Sequence, residues 1–367
     1  MSNGPWSDVI WDAQSGDRLA EVEASGGAWQ RGSVTQQTHS FALPALGLSR
    51  ADAHDLFGKD RPRDRVLAHC WNGIPVYHGL ILNSDYQRDT GMLDVIHNDI
   101  RELAAARWMY GIGGYNSALR FNWSGLSWRG MAARVARIIY TDPISGAWPL
   151  PVTIPAEQAG SEALDTWAWQ FKSGEALFKS IEEMPGGPDL DFHPRITGTQ
   201  FGWDFRIGSP YLTGPTYEMS LQAAESPLTG VAVHTLGAEK ITGVFGIGEG
   251  SEQDMIVGGA AASVSAGLAR DTKLTVKSAH LTVVNQRSQA YLDSRRNTYQ
   301  QWSFNVKTTE VDPEGGIDPA ALRIGSIIRI ESRDDLWIDD GWTEHRVLAF
   351  SGTLADPHTL TLTVETI

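Results

Sequence analysis

Asp189 and Asp191 stand two residues apart in Pro185-Gly-Gly-Pro-Asp-Leu-Asp-Phe192. On a strand that spacing points both carboxylates to one side. Paired carboxylates beside aromatic platforms equip a glycoside hydrolase, and the chain carries fourteen tryptophans. The plainer reading is that Asp189, directly after Pro-Gly-Gly-Pro, caps a turn. Glu182-Glu183 and Asp339-Asp340 are adjacent pairs, as expected of solvated faces or turns. Phe245-Gly-Ile-Gly-Glu-Gly250 follows a strand-like run and invites comparison with a phosphate-cradling loop. Its third glycine comes one residue early for G-x-G-x-x-G, and Ser251-Glu-Gln-Asp254 behind it would repel phosphate, so a turn or bulge is expected. The ten histidines are scattered, with no i, i+4 pair joined to a third ligand as a zinc site requires. Cys70 lies in a strand-like run, where a cysteine acts as a small buried hydrophobe rather than a nucleophile. G-x-S-x-G is absent, so no Ser-His-Asp set is nominated. Arg134 and Arg137 fall on what reads as a solvated helix face. The residues thus nominate no catalytic, cofactor-binding or metal-binding position, and the chain is read as a non-enzyme.

The elements that would position such residues are mostly β. Arg65–Trp71 and Ile74–Leu82 flank Asn72-Gly73, the strongest short hairpin signal, because a type I′ turn needs positive φ at both central positions. Asp89-Thr-Gly91 makes a second turn before a strand at Met92–His97, and Asp99 with Glu102 has capping-box spacing for a helix. Residues 5–43 read as strands and 47–63 as a loop with at most one helical turn. Gly111–Leu126 reads as loop, Ser127–Tyr140 as helix, Trp148–Pro155 as extended linker and Thr166–Met184 as helix ended by Pro185-Gly-Gly. Asp189–Phe192 and Trp203–Ile207 read as a β pair. Beyond 228 the strands return, with a helix near 286–297.

Size and charge narrow the classes. The 367 residues exceed the roughly 250–300 that one core sustains, so two or three domains are expected. A formal charge of −14 argues against tight nucleic-acid binding, which depends on Lys and Arg neutralising phosphates. No apolar run approaches the roughly 18 residues of a membrane helix. The N-terminus lacks the basic and apolar regions of a signal peptide. A single cysteine excludes an internal disulfide framework, which fits folding in a reducing cytosol.

Further motifs carry a resemblance. They are Trp11-Asp12 with Gly16, Leu19, Gly27 and Trp29; Gly73-Ile-Pro-Val-Tyr-His-Gly79; Asp89-Thr-Gly-Met-Leu-Asp-Val95; and Asp99-Ile100 with Arg107. Pro185–Phe192 with Trp203–Gly208, Gly246–Gly250 and Arg346-Val-Leu348 complete the set. Together they resemble the tail-tip (baseplate) hub or minor tail proteins of long-tailed siphophages, particularly those of actinobacteria. Ile324-Gly-Ser326 departs from the family's usual PGD turn, and the Trp-rich 105–170 segment has no counterpart. The resemblance implies a mainly β chain of two tandem tail-tube-like antiparallel barrels around a mixed α/β region. Residues 1–108, completed by strands from 189–235, would form the first barrel, 109–188 a helix-rich insertion and 236–367 the second barrel. It implies a homotrimer whose six barrels make a pseudo-sixfold ring at the virion tail tip, assembled from chains made in the host cytoplasm. The implied partners are the distal tail ring, the tape-measure C-terminus, and fibres or a central spike. DNA would pass without specific binding, and neither a cofactor nor membrane insertion is implied. The alternative is a glycan-binding or glycan-hydrolysing tail protein using Asp189, Asp191 and tryptophan platforms.

Overall fold

A computed structural model describes residues 5–32, 34–59, 61–110, 115–141, 149–236, 240–261, 270–276, 278–293, 295 and 299–367. The chain is mainly β, with 47% strand against 18% helix. It forms two compact units: a larger one of residues up to Gly230 with Phe304–Glu365 and Ile367, and a smaller one of Val231–Ser303 with Thr366.

The larger unit starts with seven antiparallel strands, β1 (Trp6–Asp12), β2 (Arg18–Val22), β3 (Gly26–Arg31), β4 (Gln37–Ala42), β5 (Arg65–Trp71), β6 (Ile74–Gln87) and β7 (Met92–Asn98), of which β5-β6-β7 form a meander. Asn72 and Gly73 take φ of +48° and +79°, the double positive φ that the hairpin signal demands. β5 is buried along its whole length because both faces of the sheet are covered. Val9, Val66, Ala68 and Leu80 enter one core, while Ile10, Leu67 and Ile81, one residue out of phase, enter another with Phe41 and Phe57. This is the period-2 alternation of a strand with two apolar faces.

The second core is closed by α1 (Leu43–Leu46) and α2 (Arg50–Leu56), where a loop was expected over 47–63. The missed signal is Ser49, whose side chain accepts from the Asp52 amide and starts the helix. α3 (Arg101–Ala106) follows β7 as expected, but the capping box does not form. Asp99 accepts from the Arg101 amide, whereas Glu102 reaches out to Arg63.

Residues 115–207 supply β8 (Arg120–Leu126), α4 (Trp128–Ala136), a π-helical turn at Arg137–Thr141, β9 (Val152–Thr153), β10 (Glu162–Trp167), α5 (Gly174–Glu182), β11 (Leu190–Thr197) and β12 (Gln200–Ile207). Two expectations change here. Residues 120–126 are a strand paired with β10, although 111–114 lie outside the described residues. The helix expected from Thr166 begins only at Gly174: 162–167 are held on β8, and Phe171 sits at φ +47°. Ser127 and Ser173 cap α4 and α5. Met131, Val135, Ile139, Leu177, Phe178 and Ile181 of this region share one core with β1, β5, β6, β11 and β12.

The chain continues through β13 (Thr216–Ser220) and β14 (Leu228–Leu236) into the smaller unit, where β15 (Gly243–Ile247), β16 (Val257–Ala261) and β17 (Asp271–Thr275) form a sheet in the order β16-β15-β17. α6 (Leu281–Asp293) packs on it, starting five residues before the expected helix. Gly246 and Gly248 are where this packing needs no side chain. A Cβ at Gly246 would meet Ser288 Oγ at 2.3 Å, and one at Gly248 would meet the Ser278 carbonyl at 2.7 Å. The Gly-rich run is therefore a helix seat.

β18 (Tyr299–Lys307) returns to the larger unit at Phe304, and β19 (Ile327–Ser332), β20 (Gly341–Thr353) and β21 (Asp356–Thr366) follow. β20 pairs antiparallel with β3 through Phe350 and Arg31, so the C-terminal strands extend the N-terminal sheet. The order β21-β20-β3-β4-β7-β6-β5-β1-β2 is an open path, with β19 also on β20 and β13 parallel to β19. Instead of the two separate closed barrels expected, the described residues form a large open sheet and contain no closed barrel. The β20–β3 ladder joins the two ends that the barrel reading kept apart.

Gly16 fixes where the β1–β2 turn meets β12. It has φ +75°, its carbonyl accepts from the Phe201 amide, and a Cβ there would lie 2.2 Å from the Phe201 oxygen. Gly198 has φ +62° but open space around it. Gly198→Ala should therefore lose only the left-handed backbone penalty, about 1–2 kcal/mol, and Gly16→Ala clearly more. Urea unfolding of the two variants checks the order.

Candidate functional site

The structure separates the two aspartates that sequence spacing paired. Asp189 precedes β11, and its Oδ2 accepts from the Leu212 amide at 3.1 Å, a turn contact. Asp191 lies in β11 and is buried. Its Oδ1 is 2.6 Å from Arg31 Nη2 and its Oδ2 is 3.1 Å from Arg206 Nη1. Arg31 also donates to the Val76 carbonyl at 3.1 Å, and Arg206 to the Ile324 and Thr213 carbonyls at 3.0 and 2.5 Å. Burial alone would raise the Asp191 pKa, but the two guanidiniums hold it below the usual carboxylate range. Neither carboxylate is placed as the free acid or base that glycoside hydrolysis needs.

Arg134 and Arg137, expected on a solvated face, both reach Glu157, at 2.5 and 3.0 Å. Cys70 is 1% exposed, and burial with the nearby Asp8 charge pushes its thiol up to about 12. Such a thiol is a poor nucleophile.

Sequence reasoning missed a buried polar layer in the first sheet. Asp8, His69 and Tyr77 occupy one row across β1, β5 and β6 because the register pairs Asp8 with His69 and His69 with Tyr77. His39 on β4 and His97 on β7 extend it. All five are buried. His69 Nδ1 lies 2.7 Å from Asp8 Oδ1, and Trp6 stacks on the His69 ring at 4.4 Å. Tyr77 Oη contacts His97 Nδ1 at 2.6 Å, and His97 Nε2 contacts His39 Nδ1 at 2.7 Å. His39 Nε2 has no hydrogen-bond partner. Burial pushes the His39 imidazole down to about 4 and that of His97 well below its ordinary range. Burial also pushes Asp8 up, but the His69 hydrogen bond and charge hold it below its usual value. One donor atom each from Asp8, His39 and His69 lies within 4.8 Å of the others.

The layer was legible only as polar residues on the apolar phase of strands, such as His69 between Leu67 and Trp71. It opens on a cleft of about 910 Å³ lined by Trp6, Asp8, Glu21, Glu23, His69 and His358. A second cleft, of about 1020 Å³, runs between α2 and β6 and carries Arg50, Lys59 and Arg88.

No family model matches the sequence, and no curated protein is similar enough in sequence to count as a match. The fold, however, is that of solved tail proteins. The 43 kDa tail protein of prophage MuSo2 from Shewanella oneidensis superposes with a TM-score of 0.59 at 9% identity, covering 98% of each chain. The tail protein from Neisseria meningitidis MC58 gives 0.55 at 12% identity, covering 98% of this chain and 96% of that one. Prophage tail protein gp18 from Listeria monocytogenes EGD-e gives 0.52 at 10% identity, with coverage of 98% and 94%. At these identities the likeness is one of fold.

The geometry sets two tests. Asp191→Ala leaves Arg31 buried without its carboxylate, so it should cost about 3–5 kcal/mol. Adding Arg31→Met should return part of that loss, a non-additivity that a double-mutant cycle in urea would read. His78 is fully buried, donates from Nε2 to the Phe192 carbonyl at 2.9 Å and accepts from Trp203 Nε1 at 3.0 Å. Burial and the Arg31 charge push it down to about 3. Because the folded value lies below the unfolded one of about 6.5, its stabilising effect is complete above pH 6.5. It is lost as pH falls toward 3, at up to about 1.4 kcal/mol per unit. The His78 ring resonances should stay flat from pH 7.5 to 4.5, and a midpoint near 6.5 would contradict this.

Proposed function

We propose that this chain is a structural protein of a phage tail, at the tail tip, where three copies form a ring around the lumen. The observation that carries the reading is the match in fold to three tail proteins over 98% of the chain. The motifs resembling siphophage tail-tip hubs of the actinobacteriophage type point the same way. On this reading residues 1–108 and 236–367 supply two wall segments per chain, and 109–188 is the insertion. Three chains then present six segments to a sixfold tube.

The ring would join the distal tail ring above and fibres or a central spike below, and would receive the tape-measure C-terminus. Tape measure and DNA would pass through it. A chain of formal charge −14 suits a conduit, because phosphate binding grows with each Lys or Arg supplied, and an acidic wall lets the polymer slide. The role is non-enzymatic, uses no cofactor and places the chain in the virion. Among the described residues, no helix is long and apolar enough to cross a membrane.

Ring contacts need exposed apolar surface. The segment between β19 and β20 supplies it, with Leu336 fully exposed and Trp337 73% exposed, beside the exposed Trp342. Large aromatics at such positions dominate binding when buried in an interface. Native mass spectrometry of the purified 40.1 kDa chain should therefore show a trimer. Trp337→Ser should weaken it by about 2 kcal/mol per contact without lowering the thermal midpoint of the fold. A chain that stays monomeric at every concentration and within assembled tails contradicts the proposal.

A further inference from the structure

We propose that Asp8, His39 and His69 bind one divalent transition-metal ion of the zinc class at the floor of the cleft beside Trp6. The inference is independent of the tail-ring reading, since it rests on the side chains of a single chain.

Two imidazoles and a carboxylate form a nitrogen-rich donor set. It suits zinc, cobalt or nickel, whereas calcium and magnesium demand more oxygen ligands than are gathered here. The three residues come from β1, β4 and β5, and one donor from each already lies within 4.8 Å of the others. His39 Nε2 supplies the second, independent indication. The residue is 0% exposed, its Nδ1 is engaged by His97, and Nε2 has no partner. A buried polar atom left unpaired is destabilising, and a metal ion satisfies it.

The neighbouring chain of contacts then has one consistent direction. With the Nε2 lone pair on the metal, His39 carries its proton on Nδ1 and donates to His97 Nε2. His97 donates from Nδ1 to the Tyr77 oxygen. Metal-bound histidines are held in this way by the partner of the second ring nitrogen. His69 Nδ1 and Asp8 Oδ1, 2.7 Å apart, share a proton in the metal-free chain. Binding forms a metal–nitrogen and a metal–oxygen bond and breaks that hydrogen bond, and the ring proton of a neutral His69 moves from Nδ1 to Nε2, so no proton need leave the site. Tetrahedral ligands at about 2.0–2.1 Å stand about 3.3 Å apart, so the pair opens by roughly half an ångström.

Asp8 and His69 line the cleft, so the fourth coordination position faces its water. Glu21 and Glu23 at the same cleft raise the local cation concentration. The ion would staple β4 to the directly paired β1 and β5, from which β7 and β6 otherwise separate it.

The full chain, stripped with chelator and titrated with Co²⁺ alone, tests this. The expected result is one ion per chain, the intense visible absorption of tetrahedral cobalt and displacement by Zn²⁺. His39→Gln should abolish saturable binding. His97→Phe should keep the stoichiometry but lose about 10–100-fold in affinity, and His54→Gln, remote from the site, should change nothing. If His39→Gln fails to fold, the wild-type titration decides alone. Saturable binding of one ion with a tetrahedral spectrum supports the site, and its absence overturns it. Unchanged affinity in a folded His39→Gln overturns it equally.

Discussion

One carboxylate held between two arginines, shut away from water, fixes how the larger unit is put together. Asp191 comes from β11, Arg31 from β3 and Arg206 from β12. The same guanidiniums reach the carbonyls of Val76 on β6 and of Thr213 and Ile324 in connecting segments. Buried charges are tolerated when each is paired with an opposite charge, as these are, although Arg31 Nε itself has no partner. Any slip of β11 against the first sheet would strand three charges at once, so the cluster selects one register. His78 and Trp203 sit alongside and obey the same rule: Trp203 donates to His78, and His78 donates to the Phe192 carbonyl, all in a fully buried place.

Around this joint the sheet uses both faces. One face buries α4, α5 and the β11–β12 hairpin, and the other buries α1 and α2. A sheet covered on both sides has little lateral freedom. The polar layer of Asp8, His39, His69, Tyr77 and His97 interrupts the apolar packing in one row only. Polar groups in such a row must find one another, and all but His39 Nε2 among the contacts described do so.

Local signals were legible in the sequence and distant ones were not. Asn72-Gly73 specified its hairpin because the turn's backbone demands are met by two adjacent residues. Ser127 and Pro185-Gly-Gly bracketed helical stretches for the same local reason. The helix at 50–56 was hidden because its buried side falls mainly on Leu56, too little for a periodic signal. Residues 166–173 looked helical by apolar content, yet the ladder to β8 claims the first two of them. The partner of Asp191 lies 160 positions away at Arg31, and nothing near Asp191 announces it. The histidine layer is likewise a product of register, visible only after β1, β4, β5, β6 and β7 are aligned. Gly246 and Gly248, read as a turn or bulge, carry a packing role that only the fold reveals: their absent side chains make room for α6.

A reconstruction of assembled tails containing this chain, with the chain located in the density, tests the account most directly. The account places three copies in a closed ring at the tail tip, with the sheet lining or backing the lumen and few Lys or Arg side chains on the channel wall. Six copies along the tube, a peripheral fibre-like position, or a lumen studded with basic side chains from this chain would contradict it.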